Sequence, residues 1–235
     1  MLKYKKILLK LSGEALAGTQ NFGYSVESLT SFVEQIIKIS DLGVEIGIVV
    51  GGGNIFRGLK GTSSGFDRVK GDYIGMLATV MNGLALQSEI IAQKRKARVL
   101  TSTFMEPYAE RYTPDRARRL LDEGEILIFS GGTSNPYFTT DSAAALRAIE
   151  IKADVLLKGT NVDGVYSADP RKDENATKYH TVSFKEVIDK ELRVMDITAF
   201  TLCYENQMPI RVFNMHNLGN LEAIVKGEDI GTLVS

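Results

Sequence analysis

The sequence predicts an α/β domain in which a mainly parallel sheet is covered by helices on both faces. Short apolar runs without alternation recur along the chain, and such runs are typical of strands buried on both sides. Segments with helical periodicity lie between them, so strand and helix alternate repeatedly. No linker, internal repeat or low-complexity segment interrupts this pattern, which predicts a single domain over residues 1–235.

The elements can be read in chain order from their local signals. The first helix has its apolar residues on one stripe and ends before Gly43, a residue suited to the C′ position. A later helix has a strong start, with Thr113 as N-cap, Pro114 at the first helical position and Asp115 in the first turn. The predicted strands span residues 6–11, 46–50, 97–102, 125–130, 154–157 and 210–213. The predicted helices span residues 25–42, 72–96, 113–124, 140–152, 183–190, 196–206 and 220–226.

Composition excludes several classes of function. A formal net charge of −1 over 235 residues gives no global field for nucleic acid or an anionic membrane. The one cysteine, Cys203, cannot form an internal disulfide, and its helix-like surroundings favour a buried structural thiol. No metal-ligand spacing surrounds His180 or His216, so both are expected at the surface. The basic N-terminus lacks the apolar run of a signal peptide or membrane span, which predicts a cytoplasmic protein.

Three predicted strands end in turns of glycine or small polar residues, at the sheet edge where open α/β sheets bind ligands. These turns comprise residues 12–13, 51–53 and 131–133. Glycine lets backbone N–H groups approach an anion, and the following helix adds its positive end. One such turn is as often structural as functional, but three on one edge predict a phosphate site. The dinucleotide-binding fingerprint is broken by Phe56, and no turn has the spacing of a P-loop.

Four charged residues near these turns are candidates for chemistry. Lys10 interrupts the apolar first strand, Lys158 ends the apolar run of the fifth, Arg57 follows the triple glycine, and Asp141 opens a helix. Each has a structural alternative: the lysines can extend to solvent at a sheet edge, the arginine can form a surface ion pair, and the aspartate can complement a helix N-terminus. Together they suit phosphoryl transfer, which needs cations and oriented amides but no covalent nucleophile.

Six segments resemble motifs of the bacterial UMP kinases, within the amino acid kinase superfamily. Residues 10–16 are similar to the opening motif of the superfamily, and residues 51–58 resemble its second glycine turn in the UMP kinase form. The other segments are residues 72–83, 135–141, 158–166 with Asp169 and Pro170, and 194–196. The resemblance implies a three-layer αβα sandwich with the amino acid kinase fold. It also implies reversible transfer of the γ-phosphoryl group of ATP to UMP, giving UDP and ADP, in pyrimidine nucleotide biosynthesis.

The resemblance also implies roles for individual residues by motif position. Lys10 and Lys158 would stabilise the migrating phosphoryl group, Asp141 would orient them, and Asp196 would be a second acidic organiser. The residues that would hold UMP are Gly52, Arg57, Asp72, Thr133, Ser134, Asn135, Pro136, Tyr137, Phe138, Thr139 and Thr140. Those that would contact ATP are Lys10, Leu11, Ser12, Gly13, Gly53, Arg57, Thr160, Asn161, Tyr166 and Asp169. Magnesium would be held mainly by nucleotide phosphates, without a dedicated protein site.

The same resemblance implies a homohexamer, with a UMP-binding half over roughly residues 1–150 and an ATP-binding half over roughly 151–235. Relatives of this family are often activated by GTP and inhibited by UTP, and the 18–23 loop aligns with a region linked to the GTP response. The predicted helix 72–96 could serve either a core or a subunit interface. Two other functions stay open: a superfamily kinase for an amino acid, carbamate or carboxylate, and a non-catalytic binding protein. The first would lack segments 72–83 and 135–138, and the second would not need the complete charged set.

Overall fold

A computed structural model describes residues 1–20, 22–56, 67–168, 170 and 172–235. The strands of this part are β1 (Lys6–Leu11), β2 (Glu45–Val50), β3 (Ala97–Thr101), β4 (Glu110–Arg111), β5 (Ile126–Ser130), β6 (Val155–Thr160), β7 (Thr181–Val182), β8 (Ile210–Asn214) and β9 (Thr232–Val234). They form one sheet in the order β4-β3-β5-β2-β1-β6-β8-β9-β7. Neighbouring strands are parallel throughout, except that β8 and β9 run antiparallel.

Helices cover both faces of the sheet. In the described part they are α1 (Gly13–Ala17), α2 (Val26–Ser40), α3 (Arg68–Ala92), α4 (Pro114–Asp122), α5 (Thr140–Glu150), α6 (Phe184–Asp189), α7 (Ile197–Glu205) and α8 (Asn220–Lys226). Buried residues of α1, α2, α3 and α8 pack into one apolar core on one face. Buried residues of α4, α5, α6 and α7 form a second core on the other face. The result is the three-layer αβα sandwich that the motif resemblance implied.

The predicted strands and helices are all present, and the differences lie at their ends. Sequence reasoning missed α1 and the three short strands β4, β7 and β9, which have too few residues to show a period. Strand β6 continues to Thr160, so Lys158 lies inside the strand rather than after it. Helix α3 begins at Arg68 instead of residue 72, because the side chain of Asp67 accepts a hydrogen bond from the N–H of Lys70 and caps the helix there.

Helix α3 is the one helix of the described residues that is long and apolar enough to cross a membrane by length and composition. It packs against β3 and β5 through buried residues such as Leu86 and Ile90. Core helices of soluble proteins pass the same test, so this feature is weak as a sign of membrane insertion.

The topology brings the three predicted turns together. Strands β5, β2, β1 and β6 are adjacent and parallel at the centre of the sheet, so their carboxyl ends lie side by side. Residues 131–133, 51–53 and 12–13 follow the first three of these strands. The central edge of the sheet is therefore where a ligand site is expected.

Candidate active site

The turns after β1 and β2 touch backbone to backbone. A Cβ on Gly13 would lie 2.5 Å from the carbonyl oxygen of Gly51 and 2.8 Å from the backbone nitrogen of Gly53. No side chain can occupy that space without a backbone shift, so glycine is required at position 13. Ser12 caps the short helix α1 by accepting from the N–H of Ala15 at 3.3 Å. The two turns thus form one continuous surface of main-chain groups.

Two lysines and one aspartate meet beside this surface. Lys10 and Lys158 are register partners on β1 and β6, and both side chains are only 13% exposed. The Asp141 carboxylate lies between them, with Oδ1 at 2.8 Å from Lys10 Nζ and Oδ2 at 2.6 Å from Lys158 Nζ. Their head groups converge on a buried acid instead of extending to solvent, which sets aside the solvent-reaching alternative for both lysines.

Burial and neighbouring charges act against each other on Asp141 and Lys158. Burial opposes ionisation of Asp141, but the charges of Lys10 and Lys158 outweigh it and hold the pKa of that carboxyl below its usual value. Burial lowers the pKa of Lys158, and the positive charge of Lys10 adds to this, while Asp141 partly offsets both. Two lysines share one aspartate here, so their ammonium groups have donors left with which an incoming phosphate can pair.

Asp196 forms a second node next to this centre. It caps α7 by accepting from the N–H of Ala199 at 3.0 Å. Its carboxylate also accepts from the hydroxyls of Thr139 at 2.5 Å and of Ser142 at 3.2 Å. Thr139 in turn caps α5, the helix that carries Asp141 in its first turn. The N-terminal ends of α5 and α7 therefore meet at one carboxylate, and both positive helix ends face the site.

A cavity of about 500 Å³ lies on the side of the site formed by β2, β5 and α3; we call it the acceptor-side cavity. Of the residues expected to hold UMP, those lining it are Gly52, Asp72, Phe138, Thr139 and Thr140. Gly53, which was expected to contact ATP, lines this cavity as well. Thr133, Ser134, Asn135, Pro136 and Tyr137 belong to the same loop but do not line the cavity, and Arg57 lies outside the described residues.

The 133–140 loop is held to α3 by Asp72. The Asp72 carboxylate accepts from the backbone N–H of Tyr137 at 2.8 Å and pairs with the Arg68 guanidinium at 2.9 Å. That guanidinium also lies over the Tyr137 ring, 5.5 Å from its centroid. Because α3 begins at Arg68, the expectation that Asp72 stands at a helix start is wrong; it lies in the second turn, where the loop can reach it.

A second cavity, of about 480 Å³, lies beyond β6; we call it the donor-side cavity. The residues that line it are Val162, Gly164, Val165, Tyr166, Ser167, Ala168, Pro170, Lys172, Lys190, Glu191, Leu192 and Arg193. Tyr166 lines it, and its hydroxyl donates to Asp163 at 2.6 Å. That hydrogen bond and the Lys178 ammonium at 2.9 Å hold the pKa of Asp163 below its usual value. Thr160 and Asn161 do not line this cavity.

The remaining residues expected at the donor side have other partners or lie elsewhere. Thr160 bonds to the backbone of Val162, while Asn161 bonds to His216 at 2.9 Å beside a separate cavity. Leu11 is fully buried in the core. Asp169 lies outside the described residues.

The segment 192–196 joins the two cavities. Leu192 lines the donor-side cavity, the carbonyl of Val194 accepts from Lys158 Nζ at 2.7 Å, and Asp196 bonds to Thr139, which lines the acceptor-side cavity. The lysine–aspartate centre is thereby connected to both cavities through this segment, although its three residues line neither cavity. Such an arrangement can hold two anionic ligands and stabilise charge that moves between them.

Sequence reasoning missed several polar residues that support the site. Ser142 contacts Asp196, and Thr79 accepts from the N–H of Gly131 at 2.8 Å. Asn54 and Asn82 bond to each other in the core. The signal for Thr79 and Asn82 was their spacing from Asp72, by seven and ten residues along one helix, which predicts a shared face. His180 and His216 are exposed and Cys203 is buried, as predicted.

The described residues hold no group of three or more His, Cys, Asp or Glu side chains that could bind a metal ion. The two acids at the centre are already engaged, Asp141 by two lysines and Asp196 by two hydroxyls and an amide. A divalent metal at this site would therefore depend on ligand phosphates for most of its coordination.

The chain is similar in sequence to known proteins of one family. The family model described as the amino acid kinase family matches residues 5–214. A uridylate kinase of Parabacteroides distasonis is 56% identical over 234 residues, covering 100% of this chain and 99% of the relative. A uridylate kinase of Porphyromonas gingivalis is 52% identical over 235 residues, covering 100% of this chain and 98% of the relative.

The chain is also similar in fold to solved structures of UMP kinases. The UMP kinase from Bacillus anthracis superposes with a TM-score of 0.96 at 39% identity, covering 99% of this chain and 96% of that chain. The uridylate kinase from Archaeoglobus fulgidus is more distant, with a TM-score of 0.74 at 30% identity and coverage of 97% and 99%.

Proposed function

Because the chain belongs to the amino acid kinase family, we propose that it is a uridylate kinase, which transfers the γ-phosphoryl group of ATP to UMP and forms UDP and ADP. The observation that carries the proposal is the Lys10–Asp141–Lys158 centre, whose side chains are 13–14% exposed and which lies between two cavities of about 500 and 480 Å³. Relatives of equal length at more than half identity are named uridylate kinases.

The proposed mechanism needs no covalent intermediate on the protein. UMP binds in the acceptor-side cavity, and its phosphate faces the turn at residues 51–53. ATP binds from the donor side with its phosphates near residues 12–13 and the two lysines. In the transition state, Lys10 and Lys158 stabilise charge on the equatorial oxygens, and the main-chain N–H groups of the turns add further donors. Asp141 keeps both ammonium groups aimed at one point.

Magnesium enters as part of the substrate, MgATP. When bound, it would neutralise charge on the phosphates, and Asp196 is the acid proposed to accept a hydrogen bond from one of its water ligands. This role is consistent with the lack of a carboxylate cluster in the part of the chain that the structure describes. We expect no tight magnesium site in the nucleotide-free protein, which isothermal titration can check; a micromolar site would contradict this part of the proposal.

Base selectivity is proposed to come from the 133–140 loop. Uracil presents an N3–H donor and an O4 acceptor, whereas cytosine presents the reverse pair, so fixed backbone groups of the loop can distinguish them. The Asp72 carboxylate has lone pairs beyond those used by Tyr137 and Arg68 and is proposed to accept from a ribose hydroxyl. Roughly, residues 1–150 would then bind UMP and residues 151–235 ATP.

Further properties of the family are proposed for this chain: a homohexamer, a cytoplasmic location, a role in pyrimidine nucleotide biosynthesis, activation by GTP and inhibition by UTP. For self-association, the supporting feature is the outer face of α3, where Tyr73, Leu77 and Met81 are 43%, 51% and 51% exposed at successive turns. Val80 on the same helix is buried, so α3 serves the core with one face and offers the other. Light scattering after size exclusion measures the assembly, with and without GTP.

The test of the function is a coupled assay of ADP release from MgATP with UMP, dUMP and CMP as acceptors. We expect kcat/KM to fall in that order. Loss of the 2′-hydroxyl removes one charge-assisted hydrogen bond, which should lower kcat/KM for dUMP by about tenfold to a hundredfold. The reversed donor and acceptor positions on cytosine can lower kcat/KM for CMP by a factor of about 10⁴–10⁵. Equal rates with UMP and CMP would overturn the uridylate assignment. Turnover of a carbamate, amino acid or carboxylate in place of UMP would indicate another kinase of the family. No turnover with any acceptor would indicate a non-catalytic binding protein.

A further inference from the structure

Helix α3 contacts the backbone of two segments at the site, the connection between β5 and α5 and the turn after β2. The Asp72 carboxylate accepts from the N–H of Tyr137 at 2.8 Å, and the Thr79 hydroxyl accepts from the N–H of Gly131 at 2.8 Å. Farther along, the Asn82 amide donates to the carbonyl of Gly51 at 2.6 Å. Gly131 and Tyr137 lie in the connection between β5 and α5, and Gly51 lies in the turn after β2, far from both in sequence. A rigid helix thereby sets the relative positions of elements that the chain itself does not connect.

Asn82 of α3 makes its contact together with Asn54, which lies just after the 51–53 turn. The two side-chain amides bond to each other in both directions, Asn54 Nδ2 to Asn82 Oδ1 at 3.0 Å and Asn82 Nδ2 to Asn54 Oδ1 at 2.7 Å. The second hydrogen on each Nδ2 goes to a backbone carbonyl, that of Gly51 from Asn82 and that of Gly23 from Asn54 at 2.9 Å. Because each carbonyl requires a donor, neither amide can be turned over.

Burial makes this amide pair specific. Asn54 is 1% exposed and Asn82 is fully buried. A buried polar group without a partner is costly, so the pair strongly favours this one arrangement of the surrounding backbone. The Asn54 side chain also lies against the turn after β1, since a Cβ on Gly13 would fall 2.5 Å from Asn54 Oδ1. The pair is therefore hydrogen-bonded to the turn at 51–53 and packs against the turn at 12–13.

These two turns have different proposed ligands. The 51–53 turn lines the acceptor-side cavity, and the 12–13 turn is assigned to the donor phosphates by motif position. In-line transfer requires the two phosphate groups to be held at a fixed separation, and an error of about 1 Å can cost about a hundredfold in rate. We propose that Asn82 and Asn54 are positioning residues that hold the acceptor and donor phosphate turns at the spacing required for transfer. This inference rests on the proposed function.

The test compares Asn82→Ala with Gln87→Ala. Gln87 is a matched control because it lies on the same helix and its amide also donates to a backbone carbonyl, that of Ala97 at 3.0 Å, at the start of β3 and away from the turns. For Asn82→Ala we expect kcat to fall by about a hundredfold, with the Kd of UMP and of ATP, each measured alone by calorimetry, changed by less than about threefold. We also expect a larger share of ATP to be hydrolysed by water per UDP formed. Gln87→Ala should change none of these quantities.

Asn54→Ser provides a second approach if Asn82→Ala does not fold. This substitution removes the Asn54 amide from the pair, while Asn82 can still donate to the carbonyl of Gly51. We therefore expect a smaller loss of kcat with the same rise in ATP hydrolysis. A kcat in the folded variant no lower than in Gln87→Ala would overturn the inference. So would weaker binding of either nucleotide with kcat unchanged. Failure of the wild-type protein to phosphorylate UMP would instead count against the proposed function, and the two failures are therefore distinguishable.

Discussion

The lysine–aspartate centre and the 133–140 loop are built in opposite ways. The centre is held by sheet register: Lys10 and Lys158 are opposite each other on adjacent strands, and their side chains and Asp141 are 13–14% exposed. The loop depends on a few tertiary bonds, chiefly Asp72 to the Tyr137 amide and Thr103 to Ser134 at 2.8 Å. Ser134 and Tyr137 adopt positive φ values of 65° and 72°, and Tyr137 is 68% exposed.

This contrast indicates how the two tasks of the site are divided. A buried centre on adjacent strands keeps its charges in place without a ligand, as stabilisation of a transition state requires. A surface loop whose backbone is held by a few bonds and includes left-handed residues can present fixed backbone groups to an acceptor and so control which acceptor is used. Substitutions in the centre should therefore change kcat, and substitutions at the loop anchors should change acceptor affinity.

The largest effect is expected for Lys10→Ala. Loss of one preorganised donor to developing charge costs about a hundredfold to a thousandfold in kcat. UMP affinity should change little, because the loop and its anchor remain. Steady-state kinetics and calorimetric UMP binding measure the two quantities.

Lys6→Ala is the control for this substitution. Lys6 lies on the same strand and pairs with Glu45 at 2.8 Å, but it stands at the opposite end from the turns. It should retain normal kcat. A Lys10→Ala protein with nearly normal kcat would remove this lysine from the mechanism and reduce the centre to a structural ion-pair cluster.

Asp141→Asn should lower kcat by about a hundredfold and leave UMP binding intact. The ammonium groups of Lys10 and Lys158 then lose the carboxylate that holds them in position. The substitution should also change acid stability. The pKa of Asp141 is held below its ordinary value of 3.8, so its carboxylate stabilises the fold above that pH and the contribution is lost as pH falls through the lowered pKa. Denaturant unfolding should therefore show a gap between wild type and variant that is largest near neutral pH and narrows below about pH 4.

A gap independent of pH would show that Asp141 does not gain its stabilising effect by ionisation. Large loss of UMP affinity with kcat intact would contradict its assignment to the centre.

The two regions differ in how much of them the sequence could predict, because different interactions hold them in place. Lys10, Lys158 and Asp141 were predictable, because an isolated charge at the end of an apolar strand or at a helix start has a recognisable pattern. Their mutual contact follows from sheet order, which local periodicity does not encode. Asp72 was identified, but its attachment to Tyr137 was not, since it depends on α3 beginning at Arg68 and on a loop with positive φ at a tyrosine. The Asn54–Asn82 pair was missed because the spacing from Asp72 gives only the helix face of Asn82, while its partner Asn54 lies in a turn and has no periodic signal.

Asp72→Ala should affect the loop and spare the centre. It removes the acceptor of the Tyr137 amide and the partner of Arg68. We expect the KM for UMP to rise by about tenfold, the effect of roughly one charge-assisted hydrogen bond, with kcat reduced no more than about threefold. The ratio of kcat/KM for UMP to that for dUMP should shrink, while the UMP-to-CMP ratio should stay nearly unchanged. A fall in kcat alone would mean that the loop serves the centre rather than the acceptor.

The smallest effect is expected at the junction of the two regions, with Ser142→Ala. Ser142 is 3% exposed and donates to Asp196 at 3.2 Å, but Thr139 and the Ala199 amide still hold that carboxylate after the substitution. Loss of one of three hydrogen bonds to a charged group should therefore lower kcat by only about threefold to tenfold. Thr139→Ala removes a bond to the same carboxylate and also the cap of α5, so it should lower both kcat and the free energy of unfolding, the latter by about 1 kcal/mol. If Ser142→Ala and Thr139→Ala give equal losses of kcat and additive losses when combined, Asp196 acts through its charge alone. A double variant much worse than the sum would show that the carboxylate must be held in one orientation, which would make Asp196 part of the sheet-held centre and not of the loop.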